Sequence, residues 1–133
     1  MSFLDCSIHN LRAKTKHQNK SIRIGTWNAN GLTQHLAELE IFLNTEKIDI
    51  CLISETHFTR SSYVSIRGYT CYHTTHPSDR PRGGSTIFIR QNIDHHEDLK
   101  IEEESMQVTT VTVKLGYLNT CNIAAIYCPH GII

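Results

Sequence analysis

The chain has 133 residues, of which 39% are hydrophobic and 20% are charged, and its formal net charge at pH 7 is zero. This composition is typical of one folded domain with a core of its own, and it excludes a disordered polypeptide. The zero net charge argues against strong free-standing affinity for nucleic acid, and the lack of an apolar run of about eighteen residues argues against a membrane span.

The N-terminal segment and the cysteines indicate an intracellular protein that is not secreted. Residues 1–20 contain no apolar stretch of the kind found in secretory signals. Cys128 and His130 together make an incomplete metal set, because structural zinc takes about four ligands. The five cysteines are odd in number and form no C-x-x-C pair, which favours reduced thiols: Cys6, Cys51, Cys71, Cys121 and Cys128.

The first part of the chain predicts a strand, a turn and a helix. Residues 1–20 are polar and show little periodicity, so we predict a flexible lead-in before one domain over residues 21–133. Residues 21–27 alternate as a strand does, and the Asn-Gly pair within residues 28–32 marks a turn. A helix over residues 33–45 is predicted by one apolar stripe: Leu32, Leu36, Leu39 and Leu43.

An apolar stretch at residues 48–53 is followed directly by Glu55. Its length and its position after a helical pattern predict an interior strand, which completes a right-handed β-α-β unit with parallel strands. Ligands collect outside the carboxyl ends of such strands, so Glu55 stands where a metal or a substrate would be met. A solvated carboxylate that opens the next loop is the simpler interpretation of Glu55 when this stretch is taken alone.

The rest of the chain predicts further strands. Residues 76–84 are rich in proline and glycine and predict an exposed loop, and the acidic residues 94–104 predict a connector. The predicted fold class is therefore α/β, a mixed β-sheet with a helical layer on one face. Its other face is also apolar and needs further cover. The additional strands are predicted at residues 69–73, 85–90, 106–115 and 121–127.

Oxygen-bearing side chains stand at the predicted strand ends. In a β-α-β unit Asn28 or Asn30 would lie close to Glu55, and their oxygens suit Mg²⁺, with Mn²⁺ as an alternative, better than zinc. Tyr127 ends the last predicted strand and could donate a hydrogen bond to a phosphate. Each residue also has a structural interpretation, since asparagine is common in turns and tyrosine is common at the rim of a core.

Four motifs occur along the chain in the same order as in the endonuclease/exonuclease/phosphatase superfamily, which the chain therefore resembles. Within it, the chain is most similar to the apurinic-type endonuclease domain of non-LTR (LINE) retrotransposon polyproteins, and residues 68–77 favour the jockey-type branch. The resemblance covers residues 22–129. The motifs are Trp27-Asn28-Ala29-Asn30-Gly31-Leu32, Ile53-Ser54-Glu55-Thr56, Arg82-Gly83-Gly84-Ser85-Thr86-Ile87-Phe88-Ile89 and Ala125-Ile126-Tyr127-Cys128-Pro129.

The resemblance implies a DNase I-like fold, a four-layer α/β sandwich of two sheets with helices outside. It implies Mg²⁺-dependent nicking of DNA in the nucleus, with the 3′-hydroxyl product priming reverse transcription. Asn28 then matches the active-site asparagine and Glu55 the metal-binding glutamate. Asn30 falls near the metal, and Tyr127 matches the tyrosine that contacts phosphate.

The chain departs from the family pattern after Tyr127. The family continues with Asp-x-Asn and ends with Ser-Asp-His, and neither motif occurs here; Asp94-His95 lacks the preceding serine and is interpreted as a chance dipeptide. We therefore expect the first half of the domain, with an uncovered sheet face that promotes aggregation. We expect at best a feeble nuclease that needs the missing C-terminal half or a dimer partner.

Two other functions fit parts of the sequence. A phosphatase of the same superfamily, acting on inositol phosphates or a lipid headgroup, would share the Asn28–Asn30 turn. A non-catalytic DNA-binding remnant would share the fold, although zero net charge makes autonomous DNA binding unattractive. A purely structural α/β module leaves the four ordered motifs unexplained.

Overall fold

Nine strands and one α-helix account for the regular structure of residues 7–14, 19–116 and 119–129, which are the residues that this computed structural model describes. A 3₁₀ turn at Thr33–His35 leads into the helix. In chain order the elements are β1 Ser7–Lys14, β2 Asn19–Asn28, α1 Leu36–Thr45, β3 Ile50–Ser54, β4 Tyr69–Thr74, β5 Ser85–Arg90, β6 His95–Glu97, β7 Ile101–Glu103, β8 Met106–Lys114 and β9 Thr120–Tyr127.

The first sheet contains the predicted β-α-β unit. Its strand order is β1-β2-β3-β5-β4. Strands β2 and β3 pair in parallel, and every other pair in this sheet is antiparallel. The parallel pairing follows from the helical crossover, since a helix between two strands returns the chain in the same direction. The predicted mixed sheet is confirmed.

The second sheet is built around β8. Strands β6 and β7 share one side of β8, and β9 pairs with its other side, all antiparallel. The prediction that residues 94–104 only connect two strands is wrong, because β6 and β7 lie within that segment. The acidic residues of this segment show no local strand pattern. They form strands because they pair with β8.

The helix covers one face of the first sheet. Leu39 and Leu43 are fully buried on the inner face of α1, as the apolar stripe predicts. They pack in one cluster with residues from the strands and loops beneath. That cluster also contains Trp27, Ile48, Cys51, Ile53, Phe58 and Phe88.

The second sheet covers the opposite face of the first. Isoleucines of the first sheet form one buried cluster with valines of β8 and apolar residues of β9. The expectation that this face lacks cover is therefore wrong. Alternation along β8 and β9 turns one apolar face of the second sheet inward. The cluster includes Ile50, Ile87, Ile89, Val111, Val113 and Ile123.

Two further expectations concern the N-terminus and the loop before β5. The predicted lead-in contains a strand, because Ser7–Lys14 pair with β2 along their whole length; residues 1–6 and 15–18 lie outside the described residues. The predicted loop over residues 76–84 is exposed only in its middle, since His76, Gly83 and Gly84 are buried. Both differences arise from tertiary contacts that a local pattern does not contain.

The described residues also bear on membrane and redox properties. No helix within them has the length and hydropathy needed to cross a membrane. No disulfide joins the cysteines of this part of the chain. His130, the partner of Cys128 in the incomplete metal pair, lies outside the described residues.

We expect Ile87→Ala to lower the free energy of unfolding by about 2–5 kcal/mol, because it leaves a cavity between the two sheets. Ile87 is fully buried, whereas Ile126 of β9 is 54% exposed. Ile126→Ala is therefore the control, with an expected change within about 0.5 kcal/mol. Urea unfolding measures both. Equal losses would contradict a core between the two sheets.

Candidate functional site

The ends of β2 and β3 continue side by side beyond the sheet. Asn28 pairs with Ser54 at the last position of the ladder. The N–H of Ala29 then donates to the carbonyl of Ser54 at 2.9 Å, and the N–H of Gly31 donates to that of Glu55 at 2.8 Å. These bonds bring the turn that carries Asn28 and Asn30 against the segment that carries Glu55.

Three non-glycine residues in these two segments have left-handed backbones. The φ angles are 46° at Asn30, 55° at Glu55 and 58° at His57. Asparagine and histidine visit this region more readily than most residues do, but glutamate does so rarely. Such conformations persist only where the surroundings hold them, and they concentrate at functional sites. Here the backbone bonds between the two segments supply the restraint.

A glycine pair connects this edge to the second sheet. The N–H of His57 donates to the carbonyl of Gly83 at 2.9 Å, and the N–H of Gly84 donates to Oε1 of Gln107 at 2.9 Å. Gln107 is fully buried, and its Nε2 donates to the carbonyl of Glu103 at 2.6 Å. One buried side chain of β8 therefore holds the turn that precedes β5.

The ring of Tyr127 lies against Gly83, the first glycine of the pair. Tyr127 pairs with Gln107 across β8 and β9, and a Cβ added to Gly83 would lie 2.9 Å from Cε1 of Tyr127. Burial makes the largest contribution and raises the pKa of the Tyr127 phenol. The nearby Glu55 carboxylate raises this pKa further, and the Arg82 cation lowers it. The phenol is therefore protonated at neutral pH and can donate a hydrogen bond. Both charged groups act on its hydroxyl.

The structure thus gathers all four sequence-predicted site residues at one edge of the molecule. Asn28 and Asn30 are exposed there, and Glu55 and Tyr127 are half-buried. A cleft of about 310 Å³ opens between the ends of β2 and β3 and strand β9, and Asn28 is the one of the four that lines it.

Sequence reasoning missed three residues of this edge: His57, Arg82 and Gln107. Gln107 carries a detectable signal, since it is a polar residue at an inward position of β8. Arg82 begins the motif of residues 82–89, but nothing in that motif indicates that Arg82 lies near Tyr127. Only the fold places His57, whose Nδ1 would be 3.3 Å from a Cβ added to Gly31.

The Asp94-His95 dipeptide lies away from the site. The carbonyl of Asp94 accepts from the N–H of Lys114 at 2.9 Å, at the opposite end of β8 from Gln107. His95 Nε2 is 2.9 Å from the hydroxyl of Tyr72. The dipeptide is thus bound into β6 and its neighbours and is remote from Glu55.

The proteins that this chain is similar to come from mobile elements. No family model matches the chain. It is 37% identical over 109 residues to the RNA-directed DNA polymerase from mobile element jockey of Drosophila melanogaster, covering 82% of this chain and 12% of that protein. It is 34% identical to the probable RNA-directed DNA polymerase from transposon BS of the same species, covering 80% and 12%. Over the matched residues the chain is homologous to jockey-type non-LTR retrotransposon proteins.

Solved structures agree on the fold of the chain. The AP endonuclease LMAP from Leishmania major matches with a TM-score of 0.61 at 16% identity, covering 81% of this chain and 40% of that one. The endonuclease domain of TRAS1, a telomere-specific non-LTR retrotransposon, matches with a TM-score of 0.56 at 16% identity, covering 78% and 43%. The predicted DNase I-like fold class is confirmed. The chain spans only 12% of the length of its jockey relative.

We expect Gly83→Ala to destabilise the protein more than Gly68→Ala. Both glycines have positive φ, 54° and 87°, so each alanine costs roughly 1–2 kcal/mol of backbone strain. At Gly83 the new Cβ would also lie 2.5 Å from Oε1 of Gln107, whereas nothing lies within 4 Å at Gly68. The overlap adds about 1–3 kcal/mol. Equal losses in urea unfolding would show that the glycine turn is not packed as described.

Proposed function

We propose that this chain carries one half of a metal-dependent DNA-nicking site of a jockey-type retrotransposon. The observation that supports the proposal is the convergence of Asn28, Glu55 and Tyr127 at one sheet edge, beside an open cleft. The relatives come from mobile elements, which insert into DNA. Phosphodiester hydrolysis in target DNA, within the nucleus, is the chemistry that fits both facts.

The donor atoms at this edge fit Mg²⁺. That ion is usually held by one or two carboxylates and several waters, and Glu55 with the Asn30 carboxamide offers such a partial set. Among the described residues no three His, Cys, Asp or Glu side chains come together to hold a metal, so this part of the chain does not form the closed site typical of structural zinc. Bound there, Mg²⁺ or Mn²⁺ would polarise a phosphoryl oxygen and stabilise its developing negative charge.

The other residues would bind and orient the phosphate. The protonated Tyr127 phenol would donate a hydrogen bond to a non-bridging oxygen. Asn28, exposed at the end of β2, would donate from its carboxamide to a second oxygen. A hydrogen bond to a charged group contributes about 1.5–3 kcal/mol, which is enough to orient the phosphate for attack.

We further propose that the chain by itself nicks DNA only slowly. Neither Asp-x-Asn nor Ser-Asp-His occurs in the sequence, and the resemblance assigns to those residues the positioning of the attacking water. Loss of one such group typically costs about 10²–10³-fold in rate. A further polypeptide segment or a dimer partner would have to supply them.

Glu55→Gln tests the metal role. In a supercoiled-plasmid assay with Mg²⁺, we expect nicking to fall by about 10²-fold or more, because the neutral amide no longer holds the cation. The matched control is Glu40→Gln, an exposed glutamate on α1, which should nick as the unchanged chain does. EDTA should abolish all nicking.

The same assay should include the chain extended by downstream genomic sequence. Fast nicking by the extended form, lost with Glu55→Gln and slow in the short chain, supports the half-site. Fast, Glu55-dependent nicking by the short chain would overturn the proposed slow rate and favour dimerisation. No nicking in any form would indicate a decayed copy. Turnover of phosphoinositides without nicking would favour the phosphatase.

A further inference from the structure

Arg82 is attached to the most constrained turn of the site. It is exposed and directly precedes the buried Gly83. The carbonyl of Gly83 accepts the N–H of His57, which lies just beyond Glu55. On its other side Gly83 is in close contact with the Tyr127 ring. The backbone of Arg82 is therefore fixed between the Glu55 segment and Tyr127, although its side chain reaches solvent.

The charge of Arg82 is not neutralised by an ion pair within the part of the chain that the structure describes. Each of the three arginine ion pairs of that part joins a different arginine to an acid, so those cations already have counter-ions. Arg82 instead stands on the edge that carries Glu55. The three pairs are Arg23–Glu46 at 3.2 Å, Arg60–Glu102 at 3.7 Å and Arg90–Asp49 at 3.2 Å.

We propose that Arg82 is a phosphate-binding residue whose guanidinium holds the same phosphate that Tyr127 contacts. The inference rests on the proposed function, since that function supplies the phosphate. A guanidinium presents a rigid fork of donors that matches two phosphate oxygens. A phosphate close to Glu55 would be repelled by the carboxylate. The Arg82 cation offsets this repulsion before any metal is bound.

The glycine pair explains why the arginine can act there. Side chains at both glycine positions would overlap with neighbouring groups: a Cβ on Gly84 would lie 2.8 Å from Oγ1 of Thr56. Because both positions are glycine, the turn can pack closely against the ring of Tyr127. The backbone of Arg82 is therefore held near that ring. Arg82 is therefore a substrate-binding group, and Gln107 is a positioning residue that acts through the turn.

The test measures phosphate binding by two routes in the 133-residue chain. The first is the salt dependence of affinity for a fluorescently labelled DNA duplex in Mg²⁺. The second is the rise in thermal midpoint caused by inorganic phosphate, which follows from ligand linkage. The variants are Arg82→Ala, Arg82→Lys and, as control for net charge, Arg67→Ala. Arg67 is exposed beside Gly68, which bonds to Gln91 after β5 and so lies at the opposite end of the sheet.

We expect Arg82→Ala to reduce the slope of log affinity against log salt by about 0.9, the value for one lost phosphate contact, and to remove the rise with inorganic phosphate. Arg82→Lys should keep the slope, because its charge is retained, but should bind more weakly because it lacks the planar fork. Arg67→Ala should behave as the unchanged chain does in both measurements.

The possible results separate this inference from the proposed function. If Arg82→Ala matches Arg67→Ala in both measurements, the inference is overturned, while nicking that depends on Glu55 would leave the proposed function standing. If inorganic phosphate stabilises the chain through Arg82 but DNA is neither bound nor nicked, the phosphate site stands and the DNA function fails. Absence of binding in both measurements overturns the inference.

Discussion

The edge that carries the site depends on one buried hydrogen bond, from the N–H of Gly84 to Oε1 of Gln107. It joins the first sheet to the second where apolar packing ends. A buried N–H left without an acceptor costs about 1–3 kcal/mol, so the bond strongly favours one relative position of the sheets. Because Gly83 contacts both His57 and Tyr127, that position also sets the distance between the Glu55 segment and Tyr127.

Apolar packing alone would not define this geometry. Burial of isoleucine and valine between the sheets is favourable but non-directional, and it tolerates small displacements of one sheet over the other. Hydroxyl groups near the site end add direction: Oγ1 of Thr109 lies 2.8 Å from Oγ1 of Thr74 and 2.9 Å from Oγ of Ser85. All three residues are buried. The core thus supplies most of the stability, and the polar contacts supply the register on which a phosphate site depends.

The distribution of charge agrees with a site for a polyanion. Arg23, Arg60 and Arg90 are each neutralised by an acid, whereas Arg82 stands near Glu55 and Tyr127. A chain of zero net charge can still present a local cation where a phosphate must be held. This arrangement reconciles the proposed action on DNA with a composition that argues against general affinity for nucleic acid. Binding would be local, at the edge that carries Arg82.

Local patterns were sufficient to predict most strands, the helix and the strand-end positions of Asn28, Glu55 and Tyr127. Alternation and helical periodicity are properties of neighbouring residues, and the helical crossover forces parallel pairing. The separation into two sheets was not predictable in this way, because the alternation of β8 and β9 is the same in either sheet. Strands β6 and β7 were not predicted, because acidic residues such as theirs are typical of a solvated connector.

The sequence by itself determined most of the elements, the family resemblance and the residues that end the strands. Only the tertiary structure decided that the second sheet covers the first, that Gln107 holds the glycine turn and that Arg82 stands beside Tyr127. These are contacts between residues far apart in the chain, and their energies depend on distances that no local pattern contains. The proposed chemistry thus rests on short motifs, whereas the geometry of the candidate site arose from packing.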